Sequence, residues 1–143
     1  PKDQFDAFVK VYDQKEKEYL RNKGGKLFPN VEKTLEKLAS NHRLFIVSNC
    51  MAGYIEAFLD FYNFRNYFQD FECFGNANLP KDENIKRIVH RNQLKNPVYI
   101  GDTVWDKESS EKAGVDFIYA KYGFGMIENA EREIESFEDL LKL

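Results

Sequence analysis

The sequence predicts one α/β domain: a Rossmann-like parallel sheet with helices on both faces, preceded by a long helix. Short apolar runs alternate with amphipathic helical patterns, and this alternation is typical of parallel strands joined by right-handed crossovers. One apolar run ends in Gly101-Asp102 directly before a helical pattern, which is how open α/β sheets present carboxylates at strand ends. At 143 residues, the chain is long enough for one core and too short for two.

The leading helix is predicted over residues 3–22, where aromatic and aliphatic side chains recur at helical spacing. Lys23–Lys26 contains two adjacent glycines, which suit a helix end or a hinge. We therefore divide the chain into this helix (1–22), a hinge (23–30) and an α/β body (31–143).

The body is predicted to alternate helices with strands. Leu44–Val47 is continuously apolar, which predicts a strand buried on both faces. Pro80 is well placed to open a helix, and Ser136–Asp139 resembles a capping box that begins a last short helix. The predicted helices are 31–40, 53–62, 80–92 and 103–113; the predicted strands are 44–47, 71–74, 98–100 and 117–120, with a turn at 75–78.

Composition excludes several kinds of partner. The formal net charge of −3, with positive residues interspersed among negative ones, argues against nonspecific binding to nucleic acid or membrane surfaces. No apolar run approaches the roughly 18 residues of a membrane span, and no secretory signal is visible. The two cysteines form neither a disulfide framework nor a metal motif, so a cytoplasmic protein is expected.

Polar side chains follow three of the predicted strands. Ser48-Asn49 ends the first, Lys81 follows the second, and Asp102 and Asp106 follow the third. The tips of parallel strands share one sheet edge, so these side chains are expected to converge. A hydroxyl and backbone N–H groups hold phosphate oxygens, a lysine supplies positive charge, and carboxylates bind magnesium. The set therefore predicts a phosphoryl-transfer site.

Three segments in this order resemble motifs of the haloacid dehalogenase (HAD) superfamily of phosphohydrolases: Phe45–Asn49, Leu79–Lys81 and Gly101–Asp106. The chain is most similar to the phosphoglycolate phosphatase-like branch, whose helical cap leads into the body through a segment like Gly25–Asn30. The resemblance extends from about residue 20 to the end. It implies magnesium-dependent hydrolysis of a small-molecule phosphomonoester through an aspartyl-phosphate.

The resemblance also implies roles for individual residues. Ser48 and Asn49 would hold the phosphoryl oxygens, and Lys81 would neutralise the charge of the nucleophile and of the phosphoryl group. Asp102 would ligate magnesium. Asp106 would be either a further ligand, acting through water, or a support for Lys81.

One family motif is missing from the sequence. Family members carry Asp-x-Asp-x-Thr on the central strand, with the nucleophile as its first aspartate; Asp13, Asp60 and Asp70 do not fit this pattern. We therefore expect an absent N-terminal part: the central strand, the nucleophile loop and most of the cap, of which residues 3–22 would be the last helix. Residues 1–143 alone should be inactive, and two unpaired sheet edges should invite pairing with another chain.

Each site residue also has a purely structural interpretation. Ser48-Asn49 is compatible with a strand-end turn, and Lys81 with a solvated lysine in a first helical turn. Asp102-Thr103 is compatible with a helix N-cap, and Asp106 with an acidic residue placed favourably near a helix N-terminus. Trp105 is expected to pack at the edge of the site, with contact to a substrate as the alternative.

Two other functions compete with the phosphatase. One is a catalytically dead relative that binds phosphate or a partner through its open cleft. The other is a receiver-like signalling domain, which shares the α/β architecture and acidic-pocket chemistry. It requires an acidic pair early in the sequence and a phosphoacceptor aspartate at a strand end before Lys81, and this chain has neither.

Overall fold

The computed structural model describes the backbone of residues 2–143 and the side chains of residues 8–143. The helices are α1 (Lys2–Lys23), α2 (Val31–Asn41), α3 (Tyr54–Phe61), the short α4 (Phe74–Ala77), α5 (Lys81–Arg91) and α6 (Val104–Ala113). The strands are β1 (Leu44–Ser48), β2 (Phe68–Cys73), β3 (Val98–Gly101), β4 (Asp116–Ala120) and β5 (Glu133–Ile134). Two 3₁₀ helices cover Arg65–Tyr67 and Phe137–Lys142.

The leading helix α1 lies against α3, and the connector that follows it is held there too. Gly24 adopts a left-handed conformation (φ +61°), and a Cβ at this position would lie 2.3 Å from the Phe61 ring. The Tyr62 hydroxyl donates a hydrogen bond to the Gly25 carbonyl oxygen. The start of the predicted hinge is thus fixed to the body by α3.

All strand pairs are parallel, which confirms the predicted α/β architecture. The strands form two separate sheets: β1 pairs with β2, and β3, β4 and β5 form a second sheet in that order. In the first sheet Ser48 is opposite Cys73, and in the second Gly101 is opposite Tyr119. The predicted site residues therefore follow strands of two different sheets.

A gap separates β1 from β3, which share no ladder of backbone hydrogen bonds. The two strands are bridged by the Tyr99 hydroxyl, which donates to the Val47 carbonyl oxygen at 3.0 Å. Val98 and Ile100 of β3 are 40% and 39% exposed, which is unusual for apolar side chains of a strand inside a fold. The prediction that β1 is buried on both faces is wrong, because every β1 residue is only partly covered beside this gap.

The apolar core on the β1–β2 side is built with α2 and α3. Leu35, Ile55, Leu59, Phe64 and Cys73 are its buried members. Most of the aromatic residues between α3 and β2 pack against this core. Helices α5 and α6 contact each other, α5 also contacts β1 and β2, and α6 contacts β3 and β4.

Some element boundaries differ from those predicted. Strand β2 begins at Phe68, three residues earlier than expected, because Arg91 pairs with Asp70 at 2.6 and 2.7 Å and compensates the carboxylate within the strand. Helix α4 replaces part of the predicted turn at 75–78, and β5 was not predicted. The Ser136 capping box is confirmed, although it opens a 3₁₀ helix. No helix among residues 2–143 has the length and apolar character needed to cross a membrane.

Candidate active site

The first turn of α6 organises the loop after β3. The Thr103 hydroxyl accepts the Asp106 N–H at 3.1 Å, and Asp106 Oδ2 accepts from the Thr103 N–H at 3.1 Å and from its hydroxyl at 2.8 Å. This reciprocal arrangement is a capping box, with aspartate in the position usually held by glutamate. The same Oδ2 accepts the Asp102 N–H at 3.2 Å. Asp106 therefore fixes the backbone that carries Asp102.

The other oxygen of Asp106 binds Lys81, the first residue of α5. Lys81 Nζ lies 2.5 Å from Asp106 Oδ1, and the two side chains are only 13% and 7% exposed. Burial alone would raise the pKa of Asp106, but the hydrogen bonds from Lys81 and Thr103 outweigh it and the pKa is lowered. Asp106 is thus an anion that orients the Lys81 ammonium at the strand tips.

Tyr99 connects this pair to β1. Its hydroxyl lies 3.5 Å from Asp106 Oδ1 and donates to the Val47 carbonyl, directly before Ser48. Lys81 Nζ lies 5.8 Å from the centre of the Tyr99 ring, within cation–π distance. Burial, followed by the charge of Asp106, raises the pKa of Tyr99, so its hydroxyl stays protonated and remains a donor.

Asp102 is held by the loop after β4. Its Oδ2 accepts the backbone N–H of Phe124 at 2.7 Å. Gly123 and Gly125 make this close approach possible, because a Cβ at either position would lie 2.3 Å from an atom of Asp102. Among residues 8–143, no hydrogen bond reaches the other carboxylate oxygen, Oδ1. Asp102 therefore retains one oxygen that can bind a ligand.

Ser48 and Asn49 lie at the β1 side of the gap. The Ser48 hydroxyl accepts the Cys50 N–H at 3.2 Å, which is the strand-end turn that the sequence allowed. Asn49 is exposed. No hydrogen bond within the described side chains joins either residue to Lys81 or Asp102. The structure brings Lys81, Asp102 and Asp106 together as one unit. Among the described side chains, the hydrogen bond that links this unit to the serine strand is the one from Tyr99 to the Val47 carbonyl.

Comparison with known protein families identifies the family of this chain. Residues 1–120 match the family model described as haloacid dehalogenase-like hydrolase. The chain belongs to the HAD-like hydrolase family. The receiver-like alternative is not supported by this match. A search of curated protein sequences returned no match.

Solved structures of HAD proteins share the fold. A phosphoglycolate phosphatase-like protein of Lactobacillus plantarum superposes with a TM-score of 0.82 at 21% identity, over 99% of this chain and 71% of that protein. A HAD-like hydrolase of Streptococcus pneumoniae gives 0.81 at 21% identity, over 99% and 70%. A phosphatase of Clostridium difficile, so far assigned only provisionally, gives 0.76 at 23% identity, over 90% of this chain. The chain spans 66% of that protein's length and 54% of a Geobacter sulfurreducens HAD hydrolase.

The residues fit a magnesium ion of the kind HAD hydrolases generally use, through Asp102. Magnesium is usually bound through one or two carboxylates together with waters and substrate phosphate, and the unshared Oδ1 of Asp102 is such a donor. No group of three or more His, Cys, Asp or Glu side chains in the described part of the chain is arranged to hold a metal ion. Both oxygens of Asp106 are already engaged, so the contacts favour its predicted role as a support for Lys81 over the role of ligand.

Two features of the site were not predicted. Tyr99 lies in an apolar run, and no local pattern indicates that its hydroxyl connects two strands. Trp105 was expected to pack at the edge of the site, but it is 74% exposed, because the first turn of α6 directs it away from the body.

Proposed function

We propose that this chain is the C-terminal portion of a magnesium-dependent phosphatase that hydrolyses small-molecule phosphomonoesters through an aspartyl-phosphate. The observation that carries the proposal is the buried Lys81–Asp106 pair beside Asp102 at the strand tips. This arrangement combines a fixed cation, Lys81, with an oxygen of Asp102 that can bind a hard metal ion. Phosphoryl-transfer sites require both.

Each side chain has a defined task in this proposal. Lys81, oriented by Asp106, neutralises charge on the phosphoryl group and on the attacking carboxylate. Ser48 and Asn49 hold phosphoryl oxygens from the β1 side of the gap. Asp102 holds magnesium, which when bound neutralises phosphate charge and orients the ester.

The nucleophile is proposed to arrive on a strand that lies between β1 and β3. Neighbouring strands are about 4.8 Å apart, so one strand bonded to both would join the two sheets into one. The unpaired facing edges and the exposed side chains of Val98 and Ile100 support this placement. Residues 1–143 are therefore proposed to be inactive alone. The strand would come from the same polypeptide upstream of residue 1 or, failing that, from another chain through these edges.

The test compares the 143-residue chain with the full natural product of its gene, using p-nitrophenyl phosphate with and without magnesium. We expect magnesium-dependent turnover only in the full product. Asp102→Asn should lower it by about 100-fold or more, since a metal ion supplies several kcal/mol of charge stabilisation. Asp116→Asn is the matched control, because Asp116 is an exposed carboxylate at the opposite end of the sheet.

Two outcomes would contradict the proposal. Turnover by the 143-residue chain would show that a nucleophile is present among these residues. A full product that contains no upstream segment and has no turnover would favour the binding-module alternative. The predicted cytoplasmic location is independent of either result.

A further inference from the structure

Loop 122–125 places a phenylalanine beside the candidate metal ligand. Gly123 lies against the Asp102 side chain and Gly125 lies on the Asp102–Thr103 backbone, where a Cβ at either position would collide. The Phe124 N–H then binds Asp102 Oδ2 at 2.7 Å. Because both neighbours of Phe124 face the body, its side chain extends outward and is 94% exposed.

Two further rings continue this surface. The Phe28 ring, from the connector after α1, lies 6.2 Å from the Phe124 ring and 5.0 Å from the Tyr122 ring. Tyr122 is half-buried, and burial followed by the charge of Asp102 raises the pKa of its phenol. We call Phe28, Tyr122 and Phe124 the aromatic wall. It joins segments nearly one hundred positions apart in sequence, next to the carboxylate that would hold the metal.

The packing of residues 8–143 does not account for the exposure of the aromatic wall. Phe124 contributes little to the core, and contiguous exposed apolar surface next to charged groups marks ligand sites more often than bare surface does. A ligand bound here would meet two different environments. Its anionic end would face Lys81 and the metal at Asp102, and the rest of it would pass the rings.

We propose that the aromatic wall is a subsite for a flat apolar group of the phosphomonoester, an inference that rests on the proposed function. The substrate class is then an aromatic or otherwise apolar phosphate ester. A ring stacks well on Phe124 and Phe28, whereas a polyol gains nothing from them. A polypeptide segment that covers the wall is the competing occupant.

The test uses two probes that cannot be hydrolysed, methylphosphonate and benzylphosphonate, which differ by one ring. Calorimetric titration with magnesium present is carried out on the 143-residue chain and on the full natural product. We expect benzylphosphonate to bind the full product at least about tenfold more tightly, equivalent to about 1.4 kcal/mol. Phe124→Ala should reduce this preference to below about threefold.

The matched control is Phe8→Ala, since Phe8 is an exposed phenylalanine on α1 and its removal should leave both affinities unchanged. Equal binding of the two phosphonates by the full product would overturn the subsite and leave the phosphate site intact. A preference in the short chain that disappears in the full product would show that polypeptide covers the wall, which also overturns it. If neither probe binds the full product, the proposed function fails and the subsite with it.

Discussion

Removing the Asp106 carboxylate should be among the most destabilising single changes in this fold. Asp106→Ala leaves the Lys81 ammonium, 13% exposed, without its partner at 2.5 Å. It also removes the acceptor of the Thr103 hydroxyl and of the Asp102 and Thr103 N–H groups. Breaking a buried pair by removing one partner costs about 3–5 kcal/mol.

The assay is urea unfolding of the 143-residue chain, followed by far-UV circular dichroism and by the fluorescence of its single tryptophan. The double variant Asp106→Ala/Lys81→Met should recover part of the loss, because it removes the unpaired charge. Asp60→Ala is the control: Asp60 and its partner Arg65 are both about half exposed, so the change should shift the urea midpoint very little. A loss below about 1 kcal/mol for Asp106→Ala, or no recovery in the double variant, would refute the buried-pair interpretation.

Three further predictions concern the same chain. Lys81 and Thr103 hold the pKa of Asp106 below its ordinary value of about 3.9. The contribution of the ionised Asp106 to stability should therefore be fully present above about pH 3.9 and be lost as the pH falls through the lower pKa of the folded state. Acid unfolding of the wild type compared with that of Asp106→Asn measures this contribution. Tyr99→Phe should cost about 0.5–1.5 kcal/mol in urea unfolding, since a β1 carbonyl loses its donor. Gly75→Ala should lower the thermal midpoint by several degrees, because the new Cβ would lie 2.0 Å from a backbone nitrogen. Gly25→Ala, with no atom within 4 Å, should be neutral, and equal effects of the two would contradict the steric argument.

The part of the site formed by local rules was predictable from the sequence. Thr103 and Asp106 are three residues apart at a strand-to-helix junction, and a capping box requires that spacing. The turn chemistry places Asp102 at the tip of β3 with little help from the rest of the fold. The position of Lys81 was predictable, because Pro80 marks the start of its helix. The role of its partner Asp106 was left open between a metal ligand and a support for Lys81.

Contacts between distant segments were not predictable. The Tyr99 hydroxyl finds its acceptor 52 positions earlier, and a tyrosine within an apolar strand otherwise indicates only core packing. Strand β5 is two residues long, too short for any periodicity, and exists because Ala120 and Tyr119 of β4 offer it a free edge. Phe28 meets Tyr122 only once the connector and the loop after β4 have been brought together.

The gap between the sheets divides the candidate site into two halves, which are held in place by different numbers of contacts. The half on the β3 side contains Asp102, Asp106 and Lys81, and is held by capping bonds and by the contact between α5 and α6. The half on the β1 side contains Ser48 and Asn49, and its described polar link to the first is the single bond from Tyr99 to Val47. One net hydrogen bond is worth about 1 kcal/mol. The two halves are otherwise joined through α5, which contacts β1, β2 and α6, and neither link is a backbone ladder between the two sheets. A strand bonded to both edges would supply several such bonds at once, so the element proposed to bring the nucleophile would also align the groups that act with it.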